Sequence, residues 1–523
     1  MPTFADAGSA IEQNLETLRK PGILAVRPGY RIEGGWPVGD PVVVALVGAK
    51  KGEAAAYGLP SQVGGVPVEV REASPLERLK ATQPSVQAAL KERTRVEQHT
   101  PDFPFEHLFA APPGAVTAAP RPPAKPQIPY RPAAAALNPV TDTLTVICNA
   151  SPDAGWPTLR DFFARTQQKL VVGMYDFTSA HVLAGLENAL SGGGGARNLS
   201  LVLDHPTRNP TADQSDEETE QDLSGKLSAA LSFAWAPVRS SPEVREWMFP
   251  TAYHIKVAVR DGKAFWLSSG NWNNSNQPDI DPIADPAGAA STARKSDRDW
   301  HVIVEHKGLS AVFEAYLQHD LEIASQHQAP GRGQAALLAA LGELTQPPLT
   351  VAARTPKEYF PPHKVSARMK IQPILTPDNY VDNVLPLITG AKESFYMQTQ
   401  YIHPSDKQGD EKLGMLIAAV AQKIKEGLDV RLIMSQYETL DKLELLQSAG
   451  IDLAHVRIQA NVHNKGIIVD SAIVAVGSQN WSADGVIRNR DATLIIYNED
   501  AAKYWKQIFV HDWTNMAIQQ AAD

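Results

Sequence analysis

The sequence has little of several features that mark particular classes of protein. It contains one cysteine, Cys148, among 523 residues, which excludes an intrachain disulfide framework. Cys148 lies in the apolar run LTVIC, a context that predicts a buried and inert thiol. No apolar run is long enough to span a bilayer, and the first twenty residues lack the basic start and apolar core of a secretory signal. We therefore expect a soluble protein without a transmembrane segment, either cytoplasmic or exported without a classical signal peptide.

Positive charge is also in short supply. The chain has 49 Lys and Arg against 58 Asp and Glu, a formal net charge of -9, so it has no overall attraction to nucleic acid or to an anionic membrane. A local basic groove remains open. With 43% hydrophobic and 20% charged residues, the composition is typical of a globular protein with buried cores. The length predicts two to four domains.

Changes of composition divide the chain into four parts. Residues 1–75 alternate short apolar runs with turn residues and predict a small N-terminal α+β module of unknown role. Residues 76–140 predict a connecting helix, with Ser74 as its candidate cap, and then a Pro- and Ala-rich linker. A docking ligand for another domain is the alternative interpretation of that linker. Residues 141–350 and 351–523 repeat one pattern of strands and helices.

Both repeats open in the same way. Each begins with a strand, LTVICNA or KIQPIL, and continues with a candidate helix cap and a proline, Ser151-Pro152 or Thr376-Pro377. A second strand, a helix and a third strand follow in each copy. This alternation predicts an α/β fold with a largely parallel sheet covered on its faces.

The repeats share a motif of three polar residues at fixed spacing. YHIKVAVRD carries His254, Lys256 and Asp261, and VHNKGIIVD carries the same residue types 209 positions later. On a strand, residues i and i+2 point to one face, so each histidine lies beside a lysine. An ammonium group stabilises a phosphoryl oxygen, while an imidazole acts as a nucleophile or an acid, so the pair suits attack on phosphorus. A structural histidine on an edge strand is the alternative for a single copy. The second motif consists of His463, Lys465 and Asp470.

Further residues recur at matching distances from the histidines. A serine, an asparagine and a tryptophan follow each histidine at identical spacing, which makes a chance match improbable. An aspartate then precedes the final strand of each repeat, and as a carboxylate it can fix the tautomer of a histidine. A surface salt bridge to the preceding arginine, Arg298 or Arg490, is the other interpretation of this aspartate. The residues are Ser269, Asn271, Trp272 and Asp299 in the first repeat and Ser478, Asn480, Trp481 and Asp491 in the second.

Two segments of the first repeat have no counterpart in the second. An insertion of seventeen residues contains Asp279, Asp281 and Asp285, which predict a solvated surface loop more readily than a cation site, and we assign no metal. The segment FAWAPVRSSPEVREWMFP is rich in aromatic residues. Its large side chains, Trp235, Trp247, Met248 and Phe249, either contact acyl chains or a membrane surface or form part of a core.

Two HxKxxxxD motifs in one chain, each followed by a GSxN-like element, resemble the phospholipase D superfamily over roughly residues 140–520. The resemblance implies two repeats packed about a pseudo-twofold axis, with both motifs at one active site and no cofactor. It implies that one histidine attacks phosphorus while the other protonates the leaving oxygen. By analogy, His254 is the nucleophile and His463 the acid and base. The first repeat departs from the pattern, since Ser268 stands where the second has Gly477.

The resemblance also implies roles for the accompanying residues. The two lysines, the two asparagines and, in support, Ser269 and Ser478 would bind the phosphoryl oxygens. Asp261 and Asp470 belong to the catalytic motif but would organise the scaffold, whereas Asp299 and Asp491 would orient the histidines. The two histidines would titrate as a unit and give a bell-shaped pH–rate curve around neutrality.

Three functions remain open on the sequence alone. A phospholipase D that hydrolyses or transphosphatidylates phospholipid head groups, with transient contact to a membrane surface, is favoured by the acidic charge and the aromatic segment. A metal-independent endonuclease of the same superfamily is the alternative, and it requires a basic groove. A noncatalytic scaffold is the third, although it has no need of two imidazole and ammonium pairs.

Overall fold

The structure is a computed structural model that describes residues 2, 4–33, 36–73, 128–191, 197–204, 213–241, 244–327, 351–405, 409–436, 438 and 440–519. Ser74, the predicted connecting helix and the part of the predicted linker before residue 128 lie outside the described residues. Within the described ranges, no helix is both long and apolar enough to cross a membrane.

The N-terminal module is a small four-stranded sheet with two helices against it. Its strand order is β1-β2-β4-β3, and the β-branched run of β2 supplies Val43 and Val47 to a core that is separate from those of the repeats. Ile11 and Leu18 of the helical segment cover this core. Its elements are α1 (Phe4–Gln13), α2 (Leu15–Leu18), β1 (Ile23–Glu33), β2 (Trp36–Val47), a 3₁₀ turn (Ala54–Tyr57), β3 (Gln62–Val63) and β4 (Val66–Glu72).

The first repeat alternates strands and helices up to its fourth strand and then forms antiparallel hairpins. Its elements are β5 (Val140–Ser151), α3 (Gly155–Ala164), β6 (Lys169–Met174), α4 (Ala180–Ser191), β7 (Asn198–Leu203), α5 (Asp216–Leu227), a 3₁₀ turn (Ser228–Ala230), β8 (Leu231–Trp235), β9 (Pro237–Ser241), β10 (Val244–Trp247), β11 (Val257–Arg260), β12 (Ala264–Ser268), α6 (Pro286–Ala293), β13 (Asp299–Glu305) and α7 (Lys307–His327).

The second repeat follows the same order without the β9–β10 hairpin or α6. Its elements are β14 (His363–Thr376), α8 (Tyr380–Thr389), β15 (Ser394–Thr399), α9 (Glu411–Lys425), β16 (Asp429–Ser435), α10 (Leu440–Ser448), a 3₁₀ turn (Leu453–His455), β17 (Val456–Gln459), β18 (Lys465–Val469), β19 (Ile473–Gly477), a π-helical turn (Asp484–Arg488), β20 (Asp491–Tyr497), α11 (Glu499–His511) and a second π-helical turn (Asp512–Met516).

The repeats join through their first strands into one sheet of fourteen strands. The order is β17-β16-β15-β18-β19-β20-β14-β5-β13-β12-β11-β6-β7-β8, which reads the same outward from β14 and β5 in both directions. This order confirms the α/β fold of two similar repeats related by a pseudo-twofold axis. The predicted largely parallel sheet is wrong, because only the outer strands β6-β7-β8 and β15-β16-β17 pair in parallel. The inner strands all pair antiparallel, and two of these pairs, β11–β12 and β18–β19, are hairpins, whose direct connections require that arrangement.

Two helix starts also differ from the sequence prediction. The helices α3 and α8 begin at Gly155 and Tyr380, each four residues after its predicted cap, Ser151 or Thr376. Both predicted caps are instead the last residues of strands, where their hydroxyl groups bond to side chains of the same repeat. Cys148 is completely buried on β5, and burial raises the pKa of its thiol.

Candidate active site

Both histidine motifs lie where the chain enters an inner strand of the sheet. His254 and Lys256 immediately precede β11, and His463 precedes β18, which begins with Lys465. Each ammonium folds back onto its own motif: Lys256 Nζ donates to the carbonyl oxygen of His254 at 2.6 Å, and Lys465 Nζ donates to that of His463. Each lysine is therefore held beside its histidine.

Each histidine is bonded to an aspartate of the other repeat. The Nδ1 atom of His254 lies 2.7 Å from Asp491 Oδ1, and Nδ1 of His463 lies 3.1 Å from Asp299 Oδ1. An Nδ1–H that donates to a carboxylate leaves the lone pair of the ring on Nε2. The sequence indicated these aspartates as partners but not the exchange between repeats, which brings both motifs to one place in the fold.

The two serines bind these aspartates. Ser269 Oγ donates to Asp299 Oδ1 at 2.7 Å, and Ser478 Oγ donates to Asp491 Oδ1 at 2.6 Å. A hydroxyl group can donate only one hydrogen bond, and here it donates that bond to the aspartate. In this structure the two hydroxyl groups orient the carboxylates, and the supporting role of Ser269 and Ser478 at the phosphate stays a prediction.

The asparagines present polar groups that the protein does not satisfy. Asn271 and Asn480 are 5% and 2% exposed, and Oδ1 of each is buried without a hydrogen-bond partner among the described residues. Such an orphaned buried group is costly unless a ligand or water binds nearby. Each asparagine lies two residues after the serine that bonds the aspartate, so it is close to the histidine and aspartate pairs.

The motif aspartates lie elsewhere. Asp261 and Asp470 occupy turns at the far ends of β11 and β18, about 16 Å along the strand from the lysines. Each has a positive φ, +55° and +50°, and accepts hydrogen bonds from three consecutive backbone N–H groups. In this structure the two side chains close turns away from the histidines, and we assign them no direct part in the reaction. The donors are residues 167–169 for Asp261 and 392–394 for Asp470.

Burial and the neighbouring lysines shift the ionisation of the site. Burial, Lys256 and Lys465 hold the pKa of His254 well below its usual value. Burial and Lys465 lower the pKa of His463 to about 4, against the opposing effect of Asp299. Burial also lowers the pKa of Lys465 to about 8. Since His463 and Lys465 both act on His254, the two motifs share one electrostatic environment.

The structure adds residues that the sequence pattern did not single out. The ring of Tyr175 lies 4.8 Å from that of His254, and Lys256 Nζ lies 5.0 Å from the centre of the tyrosine ring. In the second repeat, the ring of His403 stacks on Tyr401 at 4.0 Å and its Nε2 lies 2.6 Å from Glu438 Oε1. Neither group recurs between the repeats, so no repeated pattern could indicate them.

The two segments that are peculiar to the first repeat pack within the protein, and Oδ1 of Asn276 in the insertion accepts from the backbone N–H of Asn271 at 2.9 Å. Trp247, Met248 and Phe249 are buried, and Phe249 packs against the ring of Tyr253 and the guanidinium of Arg490. These three residues are therefore part of the core, and the interpretation in which they contact acyl chains does not hold, whereas Trp235 is only partly buried.

The acidic insertion is bonded within the protein. Asp279 accepts from Trp156 Nε1 at 3.1 Å, and Asp281 and Asp285 accept from nearby backbone N–H groups. In the part of the chain that the structure describes, no group of three or more His, Cys, Asp or Glu residues is arranged to hold a metal ion.

Comparison with known proteins identifies a family model and several relatives. Residues 384–513 match the family model described as cardiolipin synthase, PLD-like domain. Cardiolipin synthase 2 of Staphylococcus epidermidis is 28% identical over 136 residues, 24% of this chain and 26% of that protein. Mitochondrial cardiolipin hydrolase of Canis lupus familiaris is 30% identical over 105 residues, 20% of this chain and 40% of that protein. The chain thus matches about a quarter of the length of the staphylococcal relative.

Solved structures resemble larger or smaller parts of the chain. Phosphatidylserine synthase of Haemophilus influenzae has a TM-score of 0.47 and 11% identity, covering 72% of this chain and 89% of that one. Nuc of Salmonella typhimurium, a phospholipase D family member, has a TM-score of 0.23 and 22% identity, covering 28% of this chain and 95% of that one. The matched family model and the paired histidine motifs support the phospholipase D superfamily for this chain.

Proposed function

We propose that this protein is a phosphodiesterase that transfers the phosphoryl group of a phospholipid to water or an alcohol through a phosphohistidine. The observation that carries the proposal is the exchanged pairing of two histidines with two aspartates beside two buried lysines. Two imidazoles with fixed tautomers provide a nucleophile and a proton carrier, and the ammonium groups favour the charge of the phosphoryl oxygens.

The two histidines differ in a way that supports distinct roles. The side chain of His254 is 5% exposed and that of His463 is 13% exposed. Both lysines lower the pKa of each histidine, and His463 lowers that of His254 as well. The more buried, neutral ring suits the nucleophile, and the more accessible ring suits exchange of a proton with the leaving group and water.

The reaction then proceeds in two displacements. Nε2 of His254 attacks phosphorus, the bond from phosphorus to the leaving oxygen breaks, and His463 donates its proton to that oxygen. In the second step His463 removes a proton from water or an alcohol, whose oxygen attacks phosphorus and breaks the bond to Nε2. Lys256, Lys465, Asn271 and Asn480 would stabilise the phosphoryl oxygens in both steps.

A leaving group that needs no proton tests the assignment of the histidines. With bis-p-nitrophenyl phosphate, we expect the His463→Ala variant to release one equivalent of p-nitrophenol per active site in a rapid burst and to retain covalently bound phosphorus. The His254→Ala variant should show neither, because it lacks the nucleophile. Rapid-quench kinetics and peptide mapping of the phosphorylated residue measure both. A burst in His254→Ala with phosphorus on His463 would reverse the roles.

The substrate class is tested by direct comparison. Phosphatidylcholine and phosphatidylglycerol vesicles, single-stranded DNA, duplex DNA and bis-p-nitrophenyl phosphate are assayed in parallel, with His254→Ala as the inactive control. The proposal expects turnover of phospholipid and no cleavage of DNA. Cleavage of DNA without turnover of lipid selects the endonuclease instead. A folded wild-type protein that converts none of them favours the scaffold.

A further inference from the structure

Each aspartate that orients a histidine is preceded by a completely buried arginine. Arg298 precedes Asp299 and Arg490 precedes Asp491, and their side chains are 2% and 0% exposed. A surface salt bridge, the alternative that the sequence left open, does not describe either one. A buried guanidinium requires compensation by several acceptors, so its partners show what it holds together.

Arg298 joins the two repeats. Its Nη1 donates to Asp153 and, at 2.8 Å, to the carbonyl oxygen of Ser151, both in the first repeat. Its Nε donates at 2.8 Å to Oδ2 of Asp512, which follows the last helix of the second repeat. The nearby cation helps to lower the pKa of Asp512 to about 2, although burial opposes it.

Arg490 makes the corresponding contacts in reverse. Its Nη1 donates at 2.8 Å to Asp378 of its own repeat, and Nε and Nη2 donate at 3.2 and 3.1 Å to the two carboxylate oxygens of Asp320 on α7 of the first repeat. Asp320 also accepts from the hydroxyl of Tyr253, the residue before His254, at 3.1 Å. Arg490 is thus linked through Asp320 to the residue before His254, and it also directly precedes Asp491, the partner of His254.

The backbones of the arginines contact the opposite histidine motifs directly. The N–H of His463 donates to the carbonyl oxygen of Arg298 at 3.1 Å, and the N–H of Arg298 donates to Asn461 at 2.7 Å. The N–H of Arg490 donates to Ala252 at 2.9 Å. Each arginine therefore lies at the point where one repeat meets the histidine motif of the other.

We propose that Arg298 and Arg490 are positioning residues, each of which holds an aspartate of one repeat against the histidine of the other. Arg298 acts on the Asp299–His463 pair and Arg490 acts on the Asp491–His254 pair. The planar guanidinium suits this task because its fork bonds carboxylates on both repeats at once, whereas an ammonium group cannot reproduce that geometry. The consequence for catalysis rests on the proposed function, but the effect on histidine ionisation does not.

Replacement of one arginine at a time by lysine separates geometry from charge. In Arg298→Lys the positive charge stays but the fork is lost, so we expect the Asp299–His463 contact to loosen. The proton on His463 then loses a partner, and its pKa falls. With bis-p-nitrophenyl phosphate, the burst should persist while the following steady-state rate falls about 10- to 100-fold, with KM within about threefold. Arg490→Lys should instead slow the burst by a similar factor, because it disturbs His254.

The measurements combine rapid-quench kinetics with NMR titration of histidines labelled at Cε1, assigned by single His→Gln variants. Arg27→Lys is the matched control, since Arg27 is a buried arginine paired with Glu444 outside the histidine site. It should leave the titration of His254 and His463 and both kinetic phases unchanged. If Arg298→Lys does not fold, Asp512→Asn replaces it, because Arg298 keeps Asp153 as a partner in that variant.

The outcomes are distinct. A fall in the pKa of His463 in Arg298→Lys and of His254 in Arg490→Lys supports the proposal even if the wild type converts no substrate, which would count against the proposed function alone. Unchanged histidine pKa values in folded variants overturn the positioning role. Equal slowing of both phases by either variant, or an effect on KM only, also overturns it.

Discussion

Ser268 and Gly477 occupy the same position in the two repeats, and their neighbours explain the difference. Ser268 Oγ lies 2.6 Å from Nδ1 of His301, whose Nε2 lies 2.9 Å from Ser151 Oγ. In the second repeat Thr493 stands where the first has His301, and a Cβ atom on Gly477 would lie 1.6 Å from Thr493 Oγ1. The departure from the family pattern is thus a coupled change of two facing residues.

This coupling predicts an asymmetric response to substitution. Gly477→Ser should lower the free energy of unfolding by about 1–3 kcal/mol, because the new side chain overlaps Thr493. Ser268→Ala, which removes only a hydroxyl group, should cost about 1 kcal/mol. Urea unfolding measures both. A Gly477→Ser protein as stable as the wild type would show that the second repeat accommodates the side chain without strain.

The ionisation of His463 predicts how activity depends on pH. In the free protein, burial and Lys465 lower its pKa to about 4, so the proton donor is deprotonated at neutral pH. A bound phosphodiester anion offsets the lysine charges and raises this pKa. We therefore expect the basic limb of the kcat/KM profile, which reports the free protein, at lower pH than the basic limb of the kcat profile.

This expectation refines the bell-shaped curve around neutrality that the sequence suggested, which applies to the complex. Steady-state rates from pH 3 to 9 on a soluble substrate measure both profiles. Coincident basic limbs would mean that the substrate does not alter the pKa of His463. That result would contradict a phosphoryl group bound beside this histidine.

At the scale of single elements, the turns after β11 and β18 carry the third residue of each motif. Asp261 and Asp470 each accept hydrogen bonds from three successive N–H groups at the start of the neighbouring strand in the sheet. They therefore fix the start of β6 and of β15. The spacing HxKxxxxD thus joins two residues of the site to one residue at the opposite end of the strand. The motif spacing alone does not show which of its three residues lie at the site, because all three recur at the same spacing in both repeats.

Substitution of these aspartates separates stability from chemistry. Asp470→Ala should destabilise the protein by about 1–3 kcal/mol through loss of hydrogen bonds to a charged acceptor. Well below the unfolding temperature, its kcat should remain within a few fold of the wild type. Thermal unfolding and initial rates measure the two effects. A folded Asp470→Ala protein with activity as low as that of His463→Ala would return this residue to the catalytic set.

At the scale of the whole molecule, a buried carboxylate of the second repeat binds the N-terminal module. Glu444 on α10 accepts from Arg27 Nη1 at 3.0 Å, from Arg71 Nη1 at 3.2 Å and from the backbone N–H of Tyr30 at 3.1 Å. Its side chain is 2% exposed. The module is thereby attached to the repeat that matches the family model.

Loss of this carboxylate should loosen the module. Glu444→Gln leaves Arg27 buried without a full counter-charge, which costs about 3–5 kcal/mol for a broken buried pair. We expect faster hydrogen exchange in β1, β2 and α10 and no change in the inner strands of the large sheet. Hydrogen-exchange mass spectrometry measures this. Lys503→Gln, which removes an exposed ion pair with Glu499, is the matched control. Unchanged exchange at α10 would contradict this attachment.

The sequence predicted much of this architecture because the chain repeats itself. Matching residues at an offset of 209 indicated both motifs, and the repeated Arg-Asp dipeptides indicated the orienting aspartates. The exchange of partners between repeats was not predictable, since spacing within one repeat says nothing about which copy supplies a contact. The contacts of the buried arginines escaped for the same reason. The serine contacts lie within one repeat, but spacing along the chain does not show which side chains meet. Tyr175 escaped because the second repeat has glutamine, Gln400, at the aligned position.

The central claim is that both histidines act on one phosphorus atom, and a crystal structure with orthovanadate tests it most directly. Vanadate adopts the geometry of a phosphoryl group under attack. The account predicts a single vanadium bonded to Nε2 of His254, with Lys256 and Lys465 on its equatorial oxygens and His463 on the opposite apical oxygen. Vanadium bound separately at each histidine, or at neither in a crystal grown with saturating vanadate, would contradict it.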